Sequence, residues 1–197
     1  MKVIFIALVL FFAGCTVTQP YVTAYRITPN VKQKEYKATL CKHKSLKIGQ
    51  LFSSNSLMSR DMRYVEGRFK EFTFTQSQWA SNPNKAISAQ LVKSIRDTKI
   101  FANVSSYKSR SRADLLLETN VEKFMQYFTQ ENKKSYVEVV LSLNLLDVKS
   151  GKSIANITVE KKLQEEDADA QSGVIALNRG LADALLQTND WLDGVCK

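Results

Sequence analysis

The sequence predicts an α+β fold: one compact domain, a mixed or antiparallel sheet, and two main amphipathic helices packed on one of its faces. Three stretches carry that expectation. Ile87, Leu91 and Ile95 recur every four residues behind an Asn82-Pro83 start, the spacing of a helix with one apolar stripe. Val137, Val139, Leu141, Leu143 and Leu145 alternate with Glu138, Ser142 and Asn144 among others, the period of two that marks a strand buried on one face. Val174, Leu177, Leu181, Leu185 and Leu192 then return to helical spacing near the C-terminus.

In chain order, the first signal is not part of the domain. Met1-Lys2 precedes an unbroken apolar run from Val3 to Phe12, closed by Ala13-Gly14-Cys15. A short basic start, an apolar run and small residues before a cysteine form an export signal, excluded from fold reasoning. The run falls short of the roughly 20 apolar residues that a membrane span needs. Small side chains at Ala13 and Gly14 admit a peptidase to the backbone, and the thiol of Cys15 can carry a diacylglycerol. The pattern resembles a bacterial lipoprotein lipobox, with Phe12 where Leu is usual. It implies removal of residues 1–14, acylation of Cys15 and attachment to a membrane. Thr16 rather than Asp after the anchor implies the outer membrane on its periplasmic side, with the inner membrane as the alternative. From residue 15 to 44 the chain is rich in Thr, Gln, Pro and Lys, which predicts a lipidated basic tether. Its lysines, Lys32, Lys34, Lys37, Lys42 and Lys44 together with Lys47, either rest on anionic headgroups or are simply solvated. Tyr21, Tyr25 and Ile27 hint that part of the tether packs on the domain, which is placed at 45–197.

Leu46 and Ile48 predict a first short strand, and the Ser53-Ser54-Asn55-Ser56 run interrupts it. Met62 and Tyr64, then Phe69 to Phe74 after Gly67, predict two more. The helix from about 83 to 98 starts well because the residue before a proline avoids the α region and proline at the first helical position sacrifices no needed donor. Ile100, Phe101 and Val104 lead into another strand, followed by a basic loop from Lys108 to Arg112. From Leu115 the apolar phase runs through Leu117, Thr119 and Val121, then shifts to Phe124, Met125 and Phe128, as a β-bulge would shift it. Polar turns at 131–134 and 149–152 separate this run from the alternating strand and from Ala155, Ile157 and Val159, an antiparallel meander. Glu165, Glu166, Asp167 and Asp169 put negative charge where the last helix, about 169–192, begins. Gly173, Ala176, Gly180 and Ala184 keep one of its faces small. Each glycine costs about 1 kcal/mol in a helix interior, so close approach to a sheet is the expected compensation.

The 197 residues carry a formal charge of +9, and only Lys2 of that charge leaves with the signal. Such a balance suits an anionic surface; export argues against nucleic acid. Cys41 and Cys196 remain after Cys15, and an oxidising compartment allows, without requiring, a bond between them. The single histidine, His43, lies in the basic tether, so neither a Ser-His-Asp triad nor a histidine-bearing zinc site is expected. No CxxC pair or phosphate-binding glycine loop occurs. The expectation is a protein without catalytic residues, metal or cofactor, acting through contacts. The candidate contact residues are Arg60, Arg63, Tyr64 and Arg68, with Lys108, Arg110 and Arg112.

Trp79-Ala80, then Pro83, Ile87, Leu91 and Ile95, then Phe101-Ala102-Asn103-Val104, form an ordered pattern along the chain. With Tyr25-Arg26-Ile27-Thr28-Pro29 after the anchor and the Ala-rich stretch from Ala170 to Trp191, it resembles the ABC-type transport auxiliary lipoprotein family. The resemblance covers nearly all of the chain beyond Cys15, residues 30–75 matching least. It implies a non-catalytic accessory subunit of a mammalian-cell-entry (MCE) lipid transport system, carrying phospholipid in all expectation. The implied partners are an MCE-domain protein and its permease and ATPase, with self-association open. The competing readings are an outer-membrane assembly lipoprotein partnering a β-barrel and a surface-exposed antigen or adhesin.

Overall fold

The structure, a computed structural model, describes residues 20–32, 34–129, 134–165 and 167–197. The export signal, Cys15, residues 130–133 of one predicted turn and Glu166 lie outside the described residues.

The described residues form one nine-stranded mixed sheet with two long helices. The longest strand, β7 (Leu115–Phe128), organises it. On one edge β7 pairs antiparallel with β8 (Ser135–Asp147), which pairs antiparallel with β9 (Ser153–Glu165), the expected meander. The other edge of β7 is shared by three short parallel strands in succession: β2 (Ser45–Ile48), β3 (Phe52–Ser53) and β4 (Asp61–Glu66). Outside them lie β6 (Asn103–Ser106) on β2, β5 (Lys70–Trp79) on β4, and β1 (Thr23–Tyr25) on β5.

A register shift between Val121 and Lys123 against β8 supplies the expected bulge. Because side chains alternate, one extra residue moves all that follows to the opposite phase. Leu115, Leu117 and Val121 before the bulge and Phe124 and Phe128 after it are thus all buried. They face the helices together with Val137, Val139, Leu141, Leu143 and Leu145 of β8.

The first helix, α1 (Pro83–Thr98), has the predicted bounds, with Pro83 in its first turn and Ile87, Leu91 and Ile95 buried. Its Asn82 does not cap through the side chain; Nδ2 instead donates to the Met58 carbonyl at 2.5 Å. The second helix, α2 (Ala170–Val195), runs three residues past its predicted end. A buried hydrogen bond from Asn189 Nδ2 to Ser94 Oγ, 2.9 Å, joins the two helices. The acidic run is corrected: Glu165 still belongs to β9, held there by pairing with Ser135, and Asp169 is the cap, accepting from Ser172 N at 2.7 Å. Trp79 likewise ends β5, buried beside Phe124, instead of following a shorter strand.

The larger correction concerns the tether. Residues 23–32 and 34–44 belong to the domain, which therefore starts before residue 45. Beyond β1, this segment straps α2 along its length. Thr28 N donates to Asn178 Oδ1 at 2.6 Å, and Tyr36 Oη donates to Asp190 at 3.1 Å. Lys37 N and Ala38 N donate to Asp193 at 3.1 and 3.0 Å. Cys41 is bonded to Cys196, both buried, with Cα atoms 5.3 Å apart. Ile27 is buried in the same core. Burial and the hydrogen bond to Asp190 push Tyr36 up to about 12, so it stays a neutral donor. The Lys197 ammonium, then the Ala38 and Lys37 amides, hold the Asp193 carboxyl below its ordinary 3.8 against the opposing effect of burial.

The small face of α2 makes the approach that its glycines anticipate. A Cβ on Gly180 would stand 3.1 Å from Val139 Cγ2, and one on Gly173 would overlap the side-chain amide of Gln126. That amide is engaged, donating to the Asp169 carbonyl at 2.9 Å. Gly173→Ala is therefore expected to destabilise the domain by about 1–3 kcal/mol, read from urea denaturation midpoints. An unchanged midpoint would mean that α2 can lift off β7.

The strap makes a second prediction. Reducing Cys41–Cys196, which closes a loop of 155 residues in sequence separation, is expected to cost up to about 5 kcal/mol in the chain-entropy model. A carboxyl whose folded pKa is depressed contributes stability above its unfolded value, lost as pH falls through the folded one. The contribution of Asp193 to the denaturation midpoint should hold above pH 3.8 and be lost below it, so Asp193→Asn should flatten the acid limb.

Candidate interaction surface

With the helices covering one face, the opposite face of β7, β8 and β9 is open. Its centre is a shallow groove of about 380 Å³ flanked by Phe52 and floored by Glu118, Asn120, Ser142, Asn144, Asn156 and Thr158. These residues are the polar half of the period-two pattern, brought side by side by the register Asn120↔Ser142↔Thr158 and Glu118↔Asn144↔Asn156. They bond to one another: Asn144 Nδ2 donates to Glu118 at 3.3 Å, and Ser153 Oγ donates to Asn144 Oδ1 at 2.6 Å. Ser142 Oγ donates to Glu122, and the Ser142 and Thr158 hydroxyls lie 3.1 Å apart. Phe52 at the rim is 65% exposed. The groove thus offers amides, hydroxyls and carboxylates to a polar partner, with one aromatic ring for contact. No histidine stands by to activate a hydroxyl, His43 being exposed in the turn before β2.

Further along the same face, Glu138 accepts from Lys123 Nζ at 2.7 Å and lies 3.5 Å from Lys162 Nζ. Burial pushes the Glu138 carboxyl up, but the two ammonium groups outweigh it and hold it below the usual range. Its hydrogen bond in turn raises Lys123 above the ordinary lysine value. Tyr127 and Tyr136 stack beside them with centroids 5.0 Å apart, and Lys162 Nζ stands 3.9 Å over the Tyr136 ring. Every charge in this cluster is answered, so it braces the sheet rather than offering a reactive group.

The predicted contact residues do not form one surface. Ile48 lies opposite Leu117 of β7, and the loop bearing Lys108, Arg110 and Arg112 follows β6 at that level. Tyr64 lies opposite Gln126, about nine residues or ~30 Å further along β7. Arg110 and Arg112 are exposed, and Lys108 Nζ lies 5.8 Å from the Tyr107 ring. In the other group, Arg60 Nε donates to the Trp79 carbonyl at 3.0 Å, and Arg63 pairs with Glu71 at 3.0 Å. Tyr64 faces the core side, its ring against Phe72, Phe74 and Phe128. Of that group Arg68 alone projects freely at the hairpin tip, its guanidinium 5.5 Å from the Phe69 ring.

Lys34, Lys37 and Lys42, expected on a tether, instead line an open cleft of about 870 Å³ with Arg96 and Lys99, against Glu35 and Asp97. This cleft lies by the start of β2, at the β7 N-terminal end, because Ala102 N bonds the Lys44 carbonyl there. Among the described residues no group of three His, Cys, Asp or Glu could hold a metal, and no helix is long and apolar enough to cross a membrane.

The outer groove was not foreseen. Its polar residues are visible as the off-phase of each strand, but nothing in the sequence shows that β3 brings Phe52 beside Asn120.

The fold and its surfaces define a class: a single mixed sheet roofed on one face by two helices, with no convergent acid, base and nucleophile among the described residues. Within that class, a protein from Xanthomonas campestris carrying the family designation DUF330 is similar at a TM-score of 0.77, with 15% identity over 88% of this chain and 96% of that one. An uncharacterized protein is similar at a TM-score of 0.62, with 15% identity over 80% of this chain and 96% of its own. At such identities the likeness establishes the shared α+β fold. No family model and no curated protein matches the sequence.

Proposed function

We propose that this chain is a non-catalytic lipoprotein, acylated at Cys15 and anchored in the outer membrane facing the periplasm, that serves as accessory subunit of an MCE-type lipid transport system. The observation that carries the anchor is the apolar run ending in Phe12-Ala13-Gly14-Cys15. The accessory role is supported by the order Trp79-Ala80, Pro83, and Phe101 to Val104. In the fold these residues bracket α1: Trp79 closes β5, Pro83 opens the helix and Val104 sits in β6. A subunit of this kind acts by holding a partner. Its free surfaces are the groove beside Phe52 and the basic loop with Lys108, Arg110 and Arg112. The partner is an MCE-domain protein, with a permease and an ATPase completing the system.

Two experiments test this function. Cys15→Ser should abolish palmitate incorporation in growing cells; persistent label would move the acylation elsewhere. Arg110→Glu combined with Arg112→Glu, both on an exposed loop, should leave the fold intact and slow association with an acidic MCE partner by about tenfold at low salt. Unchanged association kinetics with the purified MCE protein would remove this loop from the contact.

A further inference from the structure

The chain that precedes β1 leaves the fold toward one particular end of the sheet. β1 runs parallel to β5 with Thr23 opposite Ser77, so the residues before Thr23 head in the direction of Phe69 and the β4–β5 turn. Phe69 stands about eight positions before Ser77, and Cys15 about eight before Thr23. At roughly 3.3 Å per extended residue both spans come to ~26 Å, enough chain to bring Cys15 level with Phe69. Tyr21, on the way, is 86% exposed.

At that level the protein presents an aromatic tip on a rigid base. Gly67 turns the chain at φ 63°, and its N–H is fixed to the Phe128 carbonyl at 3.1 Å. Phe69 follows, 88% exposed, between Arg68 and Lys70. Behind the tip, the Tyr64 ring packs at 4.5 Å on Phe74 and 5.0 Å on Phe128, so the hairpin cannot fold its tip back into the core. Phe72, beside Tyr64, is 41% exposed on the same hairpin. Among the described residues Phe69 is the most exposed large apolar side chain, and covering its ring would remove apolar surface from water.

The geometry points to the Arg68-Phe69-Lys70 tip as a second membrane contact, with Phe69 seated in the interface of the same leaflet that holds the Cys15 acyl chains. This rests on the lipoprotein reading. A phenylalanine ring can bury at the boundary of headgroups and acyl chains, and the long stems of Arg68 and Lys70 can lie along that boundary while their charges stay wet. Glu66, Glu71, Asp167 and Asp169 share this end with Lys134, and Glu71 is taken up by Arg63. Attraction to anionic lipid is therefore largely balanced, and the ring carries the contact. Two attachment points fix the orientation of the domain. They turn the basic cleft and the Cys41–Cys196 end of α2 away from the anchoring membrane.

The test uses the processed full chain, purified from membranes and reconstituted in vesicles of phosphatidylethanolamine and phosphatidylglycerol with brominated acyl chains. Phe69→Trp is compared with Phe52→Trp, both exposed positions, after subtracting the parent emission of Trp79 and Trp191. The indole introduced at 69 should lose roughly half or more of its emission to bromine and shift to the blue, and the one at 52 should do neither. Raising salt should change the quenching by less than about twofold, because the contact is apolar. Equal quenching at both positions, on protein whose N-terminal mass confirms acylated Cys15, overturns the hairpin contact alone. An unmodified Cys15 overturns the anchor and, with it, this inference.

Discussion

The β7–β8 ladder is the constraint on which the rest of the molecule depends. β7 gives one edge to a single long antiparallel partner and divides the other among β2, β3 and β4, none of which could define its own register. A two-residue strand such as Phe52–Ser53 has no independent stability. It exists because β7 is already held straight by β8. The bulge after Val121 then decides which residues meet the helices. Without it Phe124 and Phe128 would point into solvent, and Lys123 and Met125 would occupy their places in the core.

The helical layer is held by a different means. α2 lies close on the sheet through Gly173 and Gly180, and its outer side is strapped by residues 26–32 and 34–41. The strap lends Ile27, Val31, Tyr36, Ala38 and Cys41 to the core. Its attachment is directional: Asn178, Asp190 and Asp193 of α2 satisfy its backbone and Tyr36, and the Cys41–Cys196 bond closes it. The exposed ion pair of Lys34 with Asp190, 2.5 Å, adds little, since such pairs contribute on the order of 0–1 kcal/mol. The disulfide and the amide-to-carboxylate bonds are the larger contributions, and they join the beginning of the domain to its end.

The positive charge of this chain is also more divided than its total suggests. Lys123 and Lys162 are spent on Glu138, Arg63 on Glu71 and Lys197 on Asp193. Of the cations outside these pairs, Lys37 and Lys42 of the cleft and Arg110 and Arg112 of the loop lie toward the N-terminal end of β7, and Arg68 and Lys70 lie toward the other.

Local periodicity by itself determined α1, α2 and the three long strands, because each has enough buried positions for its apolar phase to show. The bulge was legible too, since a phase shift within one strand is a local event. The glycines of α2 announced a close neighbour without naming it. Tertiary structure alone decided the rest. β1 and β3 have too few residues to carry a period and form only where β5 and β7 offer a free edge. The segment before residue 45 reads as a solvated tether because its bonds are made by backbone amides, which have no sequence signature, to acids more than 150 residues away. The pairing of Cys41 with Cys196 was allowed by chemistry and settled by that strap. The two groups of candidate contact residues, offered together, are parted by up to about 30 Å at Tyr64, because position along β7 is set by pairing partners rather than by sequence order.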